Sequence, residues 1–104
     1  MVKMDELQQA HKDLSKGEVI LDVRGPDEFA EAHVPGAINI AHDQVHQHVD
    51  RLRTYDKVYI HCRSGKRAGI AMEALQKAGL KNLYCIDDSG MEHWVQKGYP
   101  VERG

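Results

Sequence analysis

Cys62 is followed by Arg63, Ser64, Gly65, Lys66 and Arg67, and in this run residue types and spacing are ready for chemistry. The cysteine closes a short apolar run, Lys57 to His61. A glycine-containing turn with three cationic side chains follows, and then a helical pattern begins. A loop of this kind turns backbone N–H groups inward, toward whatever charge the sulfur carries. A free thiol has a pKa of about 8.5, helix N-termini and nearby cations lower it, and the thiolate is the nucleophilic form. Gly65 lets the backbone curl without a Cβ clash. The competing reading is an inert cysteine beside a solvated charge cluster, because free cysteines are among the most buried residues. The compact spacing of cysteine, glycine and loop cations ahead of a helix favours the nucleophile.

Other candidates carry less. Asp22 and Arg24 sit at the end of another apolar run, where an aspartate is ordinarily a turn or cap residue. His42 and His46 would share a helix face four residues apart, a spacing that suits zinc, and His48 lies beside them. No further ligands complete such a site, so a solvated face is expected and no metal. Cys85 lies in an apolar strand pattern and reads as inert core. A resolving role for it needs the two sulfurs close together. Trp94 reads as a packing anchor, and His33, with Pro35 and Gly36, as a residue that shapes a turn.

The elements that must position these residues are short and alternate in type. Val19 to Val23 is β-rich and follows a Lys16-Gly17 turn. Gly25-Pro26 breaks it, and Pro26 suits the first turn of a short helix carrying Asp27, Glu28 and Glu31 near its positive end. Pro35-Gly36 makes a turn before a second strand, Ala37 to Ile40. Val45, Val49 and Leu52 predict a helix over 43–53. Lys57 to His61 is a third strand. From Gly65 to Ala78 the pattern is helical, with Ile70, Ala71, Ala74, Leu75 and Ala78 on one stripe and Gly79 as a stop. Leu83 to Ile86 is a fourth strand, and Ser89 to Lys97 a last helix stopped by Gly98 and Pro100. Segment 5–14 is weakly helical. Alternation of this kind marks a parallel sheet covered on both faces. Ligands of such sheets bind beyond the carboxyl ends of the strands. Asp22 and Cys62 both lie at such ends.

Composition bounds the rest. The chain has 104 residues, the size of one domain over 1–104, with 41% hydrophobic and 29% charged residues. A net charge of −2 argues against general nucleic-acid binding, so the cations around Cys62 point to a small anion. Two cysteines are too few for a disulfide scaffold, and a reducing, cytoplasmic setting is expected. The N-terminal residues show no apolar signal-peptide core, and no run of about 18 apolar residues predicts a membrane span.

The motifs taken together resemble the rhodanese homology family of sulfurtransferases. Leu21-Asp22-Val23-Arg24, followed by Asp27-Glu28-Phe29, resembles its first motif, and Ala32-His33-Val34-Pro35-Gly36-Ala37-Ile38-Asn39-Ile40 its second. His61 to Arg67 resembles the active-site strand and loop. Ser89-Gly90, Trp94, Gly98 and Pro100-Val101 resemble the closing motif. Ala32, Ser89 and Met91 depart from the residues most common in the family. The resemblance implies an α/β fold with a central, mostly parallel five-stranded sheet and helices on both faces.

It also implies a two-step transfer without a cofactor. Cys62 attacks the outer sulfur of a donor such as thiosulfate, and the resulting persulfide passes its sulfur to cyanide, a small thiol or a thioredoxin-like protein. Arg63 and Lys66 would attract an anionic donor at the rim. Arg67 would either face the pocket or tie the loop down through a carboxylate such as Asp22. Ser64 would offer a hydroxyl or only fill a turn. Asp22 and Arg24, with Glu28, would be supporting residues in a salt bridge beneath the loop. Rival readings are a persulfide carrier or binding module serving a partner, and a cysteine phosphatase. The loop has one residue fewer between cysteine and arginine than a phosphatase loop, a tighter ring that suits sulfur better than phosphate.

Overall fold

The computed structural model describes residues 3–104. Four strands form one parallel sheet: β1 (Glu18–Asp22), β2 (Ile38–Asn39), β3 (Lys57–His61) and β4 (Leu83–Cys85), in the spatial order β2-β1-β3-β4. The helices are α1 (Met4–Lys12), α2 (Pro26–Glu31), α3 (Val49–Arg53), α4 (Lys66–Lys77) and α5 (Met91–Gln96).

Side chains alternate across the strands with a period of two. Val19, Leu21, Val58, Ile60 and Cys85 point to one face and pack with Ala68, Ala71 and Leu75 of α4 and Leu52 of α3. Ile20 and Tyr59 point to the other and pack with Met4 and Leu7 of α1 and Met91 and Trp94 of α5. Each face therefore carries its own apolar layer, as a buried parallel sheet requires. Trp94 is fully buried, and its indole N–H donates to the Pro100 carbonyl at 2.7 Å, which makes it the anchor of the α1/α5 layer.

The register places the site. Asp22 lies beside His61 at the carboxyl ends of β1 and β3, and Cys62 is the next residue in the chain. Asp22 and His61 share the phase of Ile20 and Tyr59, whereas Cys62 packs with the α4 layer.

The sheet has four strands where the resemblance implied five. The sequence holds four β-rich runs, and each became a strand; beyond them, pairing among the described residues amounts to one antiparallel bridge between His33 and Glu102. The segment expected as one helix over 43–53 is instead a 3-10 turn, Val45–His48, that runs into α3. Its start is wound by a bond from the Gln47 amide to the Gln44 carbonyl, a tighter winding that still buries both Val45 and Leu52. Ile70, expected on the buried stripe of α4, is 47% exposed. Ala68, Ala71 and Leu75 occupy the face against the sheet, and Ile70 lies to its side. Among the described residues, no helix is long and apolar enough to cross a membrane.

Candidate active site

Cys62 is 1% exposed, and its sulfur is held by the start of α4. The Gly65 amide donates to Sγ at 3.1 Å and the Ala68 amide at 3.2 Å. The first amides of a helix lack intrahelical acceptors, and a cap side chain usually supplies one. The capping position here is Gly65, which has no side chain, so the cysteine sulfur takes the role. Hydrogen bonds to a charged acceptor contribute about 1.5–3 kcal/mol each, and the positive end of a twelve-residue helix adds to them. Negative charge on sulfur is stabilised from two directions.

Two glycines make this geometry possible. Gly65 has φ of 112°, in the left-handed region where other residues are strained, and a Cβ there would collide with the Asp87 carbonyl. Gly90 has extended backbone, and its role is close approach: a Cβ would collide with the carbonyls of Cys62 and Arg63. Those same carbonyls accept from α5, Cys62 O from the Met91 amide at 2.8 Å and Arg63 O from the Glu92 amide at 3.3 Å. With its carbonyls drawn outward, the loop is left with amides facing the sulfur.

Beneath the loop, Asp22 and Arg24 form a buried pair. Arg24 Nη2 lies 2.7 Å from Asp22 Oδ2, and Nε lies 3.0 Å from both carboxylate oxygens. The Arg24 amide donates to Asp22 Oδ1, and Nη2 also reaches the Ala32 carbonyl at 2.7 Å. Asn39 Nδ2 donates to the carbonyls of both residues, which ties in the β2 strand. A buried ion pair withstands its desolvation cost only when further hydrogen bonds support it, and here the Arg24 amide and the Ala32 carbonyl supply two.

Arg67 does not use Asp22, the carboxylate named for it from the sequence. It makes a two-pronged pair with Glu28 of α2, Nη1 to Oε1 at 2.6 Å and Nη2 to Oε2 at 2.9 Å. Asp22 is occupied by Arg24, and α2 brings Glu28 within reach instead. Glu28 also accepts from the Gly25 amide. The Arg67 hydrogen bonds, outweighing the opposing effect of burial, pull the Glu28 carboxyl down from 4.5 to about 2.

The remaining loop side chains face outward. Arg63, Ser64 and Lys66 are exposed. Arg63 Nε lies 3.6 Å from Glu92 Oε2, an exposed and therefore weak pair. Arg63 separates two clefts beside the loop. One, of about 400 Å³, is lined by Arg24, Glu28, Glu31, Met91, Glu92 and Val95 among others. The second, of about 290 Å³, is lined by Ser64, Asp88, Ser89, Gly90 and Glu92 among others.

Three backbone amides that shape the site lay outside the sequence reading. The Ala68 amide carries no side-chain signature. The amides of Met91 and Glu92 show themselves only once α5 is docked. His61 is fully buried, its Nε2 4.0 Å from Asp22 Oδ2 and without a hydrogen-bond partner among the described residues. Burial pushes its pKa down, against the opposite pull of Asp22. Cys85 is also buried, and its thiol is pushed up to about 11, by burial first and then by the negative charge of Asp87 and Cys62. His33 stacks on Phe29 at 3.8 Å, and its Nδ1 lies 2.8 Å from the Phe29 carbonyl, at the end of α2. Among the described residues, no group of three or more metal-ligating side chains converges.

Residues 6–97 match the family model of the Rhodanese-like domain. The Bacillus subtilis sulfur-carrier candidate YrkF is 36% identical over 78 residues; the match takes in 75% of this chain, which spans only 42% of YrkF. Thiosulfate sulfurtransferase 16 of Arabidopsis thaliana, a chloroplastic protein, is 30% identical over 105 residues, covering 89% of this chain and 87% of the relative. The crystal structure of a rhodanese-related protein from Thermoplasma volcanium superposes with a TM-score of 0.82 at 28% identity, over 99% of this chain and 97% of that one.

Proposed function

The chain belongs to the rhodanese-like domain family, and from that premise we propose that it is a sulfurtransferase working through a persulfide on Cys62. In the first step the Cys62 thiolate attacks the outer sulfur of a donor such as thiosulfate. A new S–S bond forms, the S–S bond of the donor breaks, and sulfite leaves with the electron pair. The enzyme now carries Cys62–S–S⁻. In the second step an acceptor thiolate, or cyanide, attacks the outer sulfur, and Cys62 leaves as the thiolate. No net oxidant or reductant is needed. Each state leaves negative charge on sulfur, and preorganised donors stabilise such charge without reorganising.

The observation that carries this reading is the pair of amide bonds from Gly65 and Ala68 to Cys62 Sγ. Relatives named as thiosulfate sulfurtransferases support it, at modest identity. Asp22, Arg24, Glu28 and Arg67 act as positioning residues that hold the loop closed from below and from the side. Gly65 supplies the turn, and Arg63, Ser64 and Lys66 form the rim. The carrier or binding-module reading and the phosphatase reading are not favoured. The test compares thiosulfate:cyanide transfer with aryl-phosphate hydrolysis in the wild type and in Cys62→Ser. Sulfur transfer that vanishes in the variant supports the proposal. Dominant phosphate hydrolysis, or transfer that survives the substitution, removes it.

A further inference from the structure

The loop itself is cationic, but its mouth is not. The larger cleft beside the loop presents Arg24 and Arg63 against Glu28, Glu31 and Glu92. The smaller presents Arg63 against Asp88 and Glu92. Two of these charges are already spent, because Arg24 is bound by Asp22 and Glu28 by Arg67. What remains facing the clefts is one arginine, Arg63, three carboxylates, Glu31, Asp88 and Glu92, and His93, which is bound to Asp5. Lys66 lines neither cleft.

Both clefts adjoin the nucleophile. Met91, in the wall of the larger, donates to the Cys62 carbonyl, and Gly90, in the wall of the smaller, packs against the same carbonyl. Glu92 belongs to both walls and stands 3.6 Å from Arg63, the cation nearest Cys62 in the chain. The larger cleft is also partly apolar. Val95 is 52% exposed there, beside Ala32 and Met91.

A small dianion approaching this mouth meets net repulsion, and Arg63 is already offset by a carboxylate. A polypeptide thiol flanked by basic residues meets attraction, with apolar surface to rest on. Juxtaposed like charge is an effective way to turn away a wrong partner. Resting on the sulfur-transfer reading above, we propose that Glu92 sets the charge preference of the site. It disfavours small anionic sulfur compounds and favours a thiol or persulfide carried on a polypeptide with basic residues around its cysteine. The Glu92 side chain touches neither the reacting sulfur nor Asp22, Arg24, Glu28 or Arg67, and its backbone bond to the Arg63 carbonyl survives any side-chain substitution, so the carboxylate is a specificity group and not part of the catalytic machinery.

The test uses two readouts. The first needs no sulfur transfer: the rate at which Cys62 is alkylated by anionic iodoacetate, divided by the rate with neutral iodoacetamide, followed by peptide mapping. At low ionic strength Glu92→Gln raises this ratio about twofold and Glu92→Lys about fivefold, the size of one and two unit charges on the order of 8 Å from the reagent in water, and added salt shrinks both changes. Glu73→Gln, which removes a carboxylate paired with Lys77 on α4, leaves the ratio unchanged. The second readout offers persulfide-loaded protein to two cysteine peptides, one flanked by lysines and one by glutamates. The wild type prefers the lysine peptide, and Glu92→Lys reverses the preference. An unchanged alkylation ratio in Glu92→Gln, an equal change in Glu73→Gln, or no preference between the peptides overturns the assignment. Failure of Cys62 to take up sulfur from any donor defeats the sulfurtransferase proposal instead, and the alkylation ratio still decides the role of Glu92.

Discussion

Cys62 and Cys85 are the same residue in the same apolar layer, at the ends of two strands of one sheet, and their sulfurs sit in opposite surroundings. Burial is nearly equal, 1% against 9% exposed. What differs is the company. Cys62 follows the last residue of β3, where the chain turns into α4, and two backbone amides aim at its sulfur. Cys85 is the last residue of β4, and its neighbours are apolar side chains and the negative charge of Asp87, which together with burial hold its thiol at about 11. Burial alone pushes a thiol up, as at Cys85, and donors aimed at the sulfur oppose that push, as at Cys62.

The largest effect that would break this comparison is a reactive Cys85. At pH 8 a thiol held at about 11 is thiolate in only about one molecule in a thousand. Alkylation of the folded protein at that pH should therefore label Cys62 at least about a hundredfold faster than Cys85, and denaturation should erase the difference. Peptide mapping over time checks this. Similar rates in the folded state would show that the two environments are not distinct.

Next comes the turn that creates the difference. Gly65→Ala puts a Cβ into the Asp87 carbonyl at a left-handed backbone position. Sulfur loading should fall about a hundredfold, as misplacement by about an ångström does at a reacting centre, with a stability loss of about 1–3 kcal/mol. Loading kinetics and thermal melts read both. Wild-type loading in this variant would mean that the amide ring is not what activates Cys62.

A smaller effect comes from the tie at the side of the loop. Arg67→Ala or Glu28→Gln frees one edge while Asp22 and Arg24 still support it from beneath. About a tenfold fall in loading is expected, with a stability change of about 0.2–1 kcal/mol because the pair is partly exposed. The pair also has a pH signature. Glu28 has a folded pKa lowered from 4.5 to about 2, so its contribution is present above 4.5 and is lost as pH falls toward 2. Glu28→Gln should flatten that part of the melting-temperature profile. Ser64→Ala should do least, within about twofold of wild type, because Ser64 is exposed at the rim; steady-state transfer rates measure it.

Much of this was legible in the sequence because it rests on short-range rules. Four β-rich runs became four strands, and the fifth strand had no run behind it. Pro26 and Gly25 marked the start of α2, and Cys62, Gly65 and the loop cations marked the candidate site. What escaped depends on how distant segments dock. Choosing Glu28 over Asp22 as the partner of Arg67 requires knowing that Arg24 has already taken Asp22. The Ala68 amide and the pull of α5 on the loop carbonyls are backbone features, invisible in residue types. Ile70 misled because apolar spacing on a helix does not say which of two adjoining stripes the sheet will cover.

The most direct measurement is intact-mass analysis with peptide mapping after exposure to a panel of sulfane sulfur donors, thiosulfate and a cysteine persulfide among them. One added sulfur atom per chain, on Cys62 and absent from Cys85, is the predicted result. No added sulfur with any donor, or sulfur found on Cys85 instead, would contradict it.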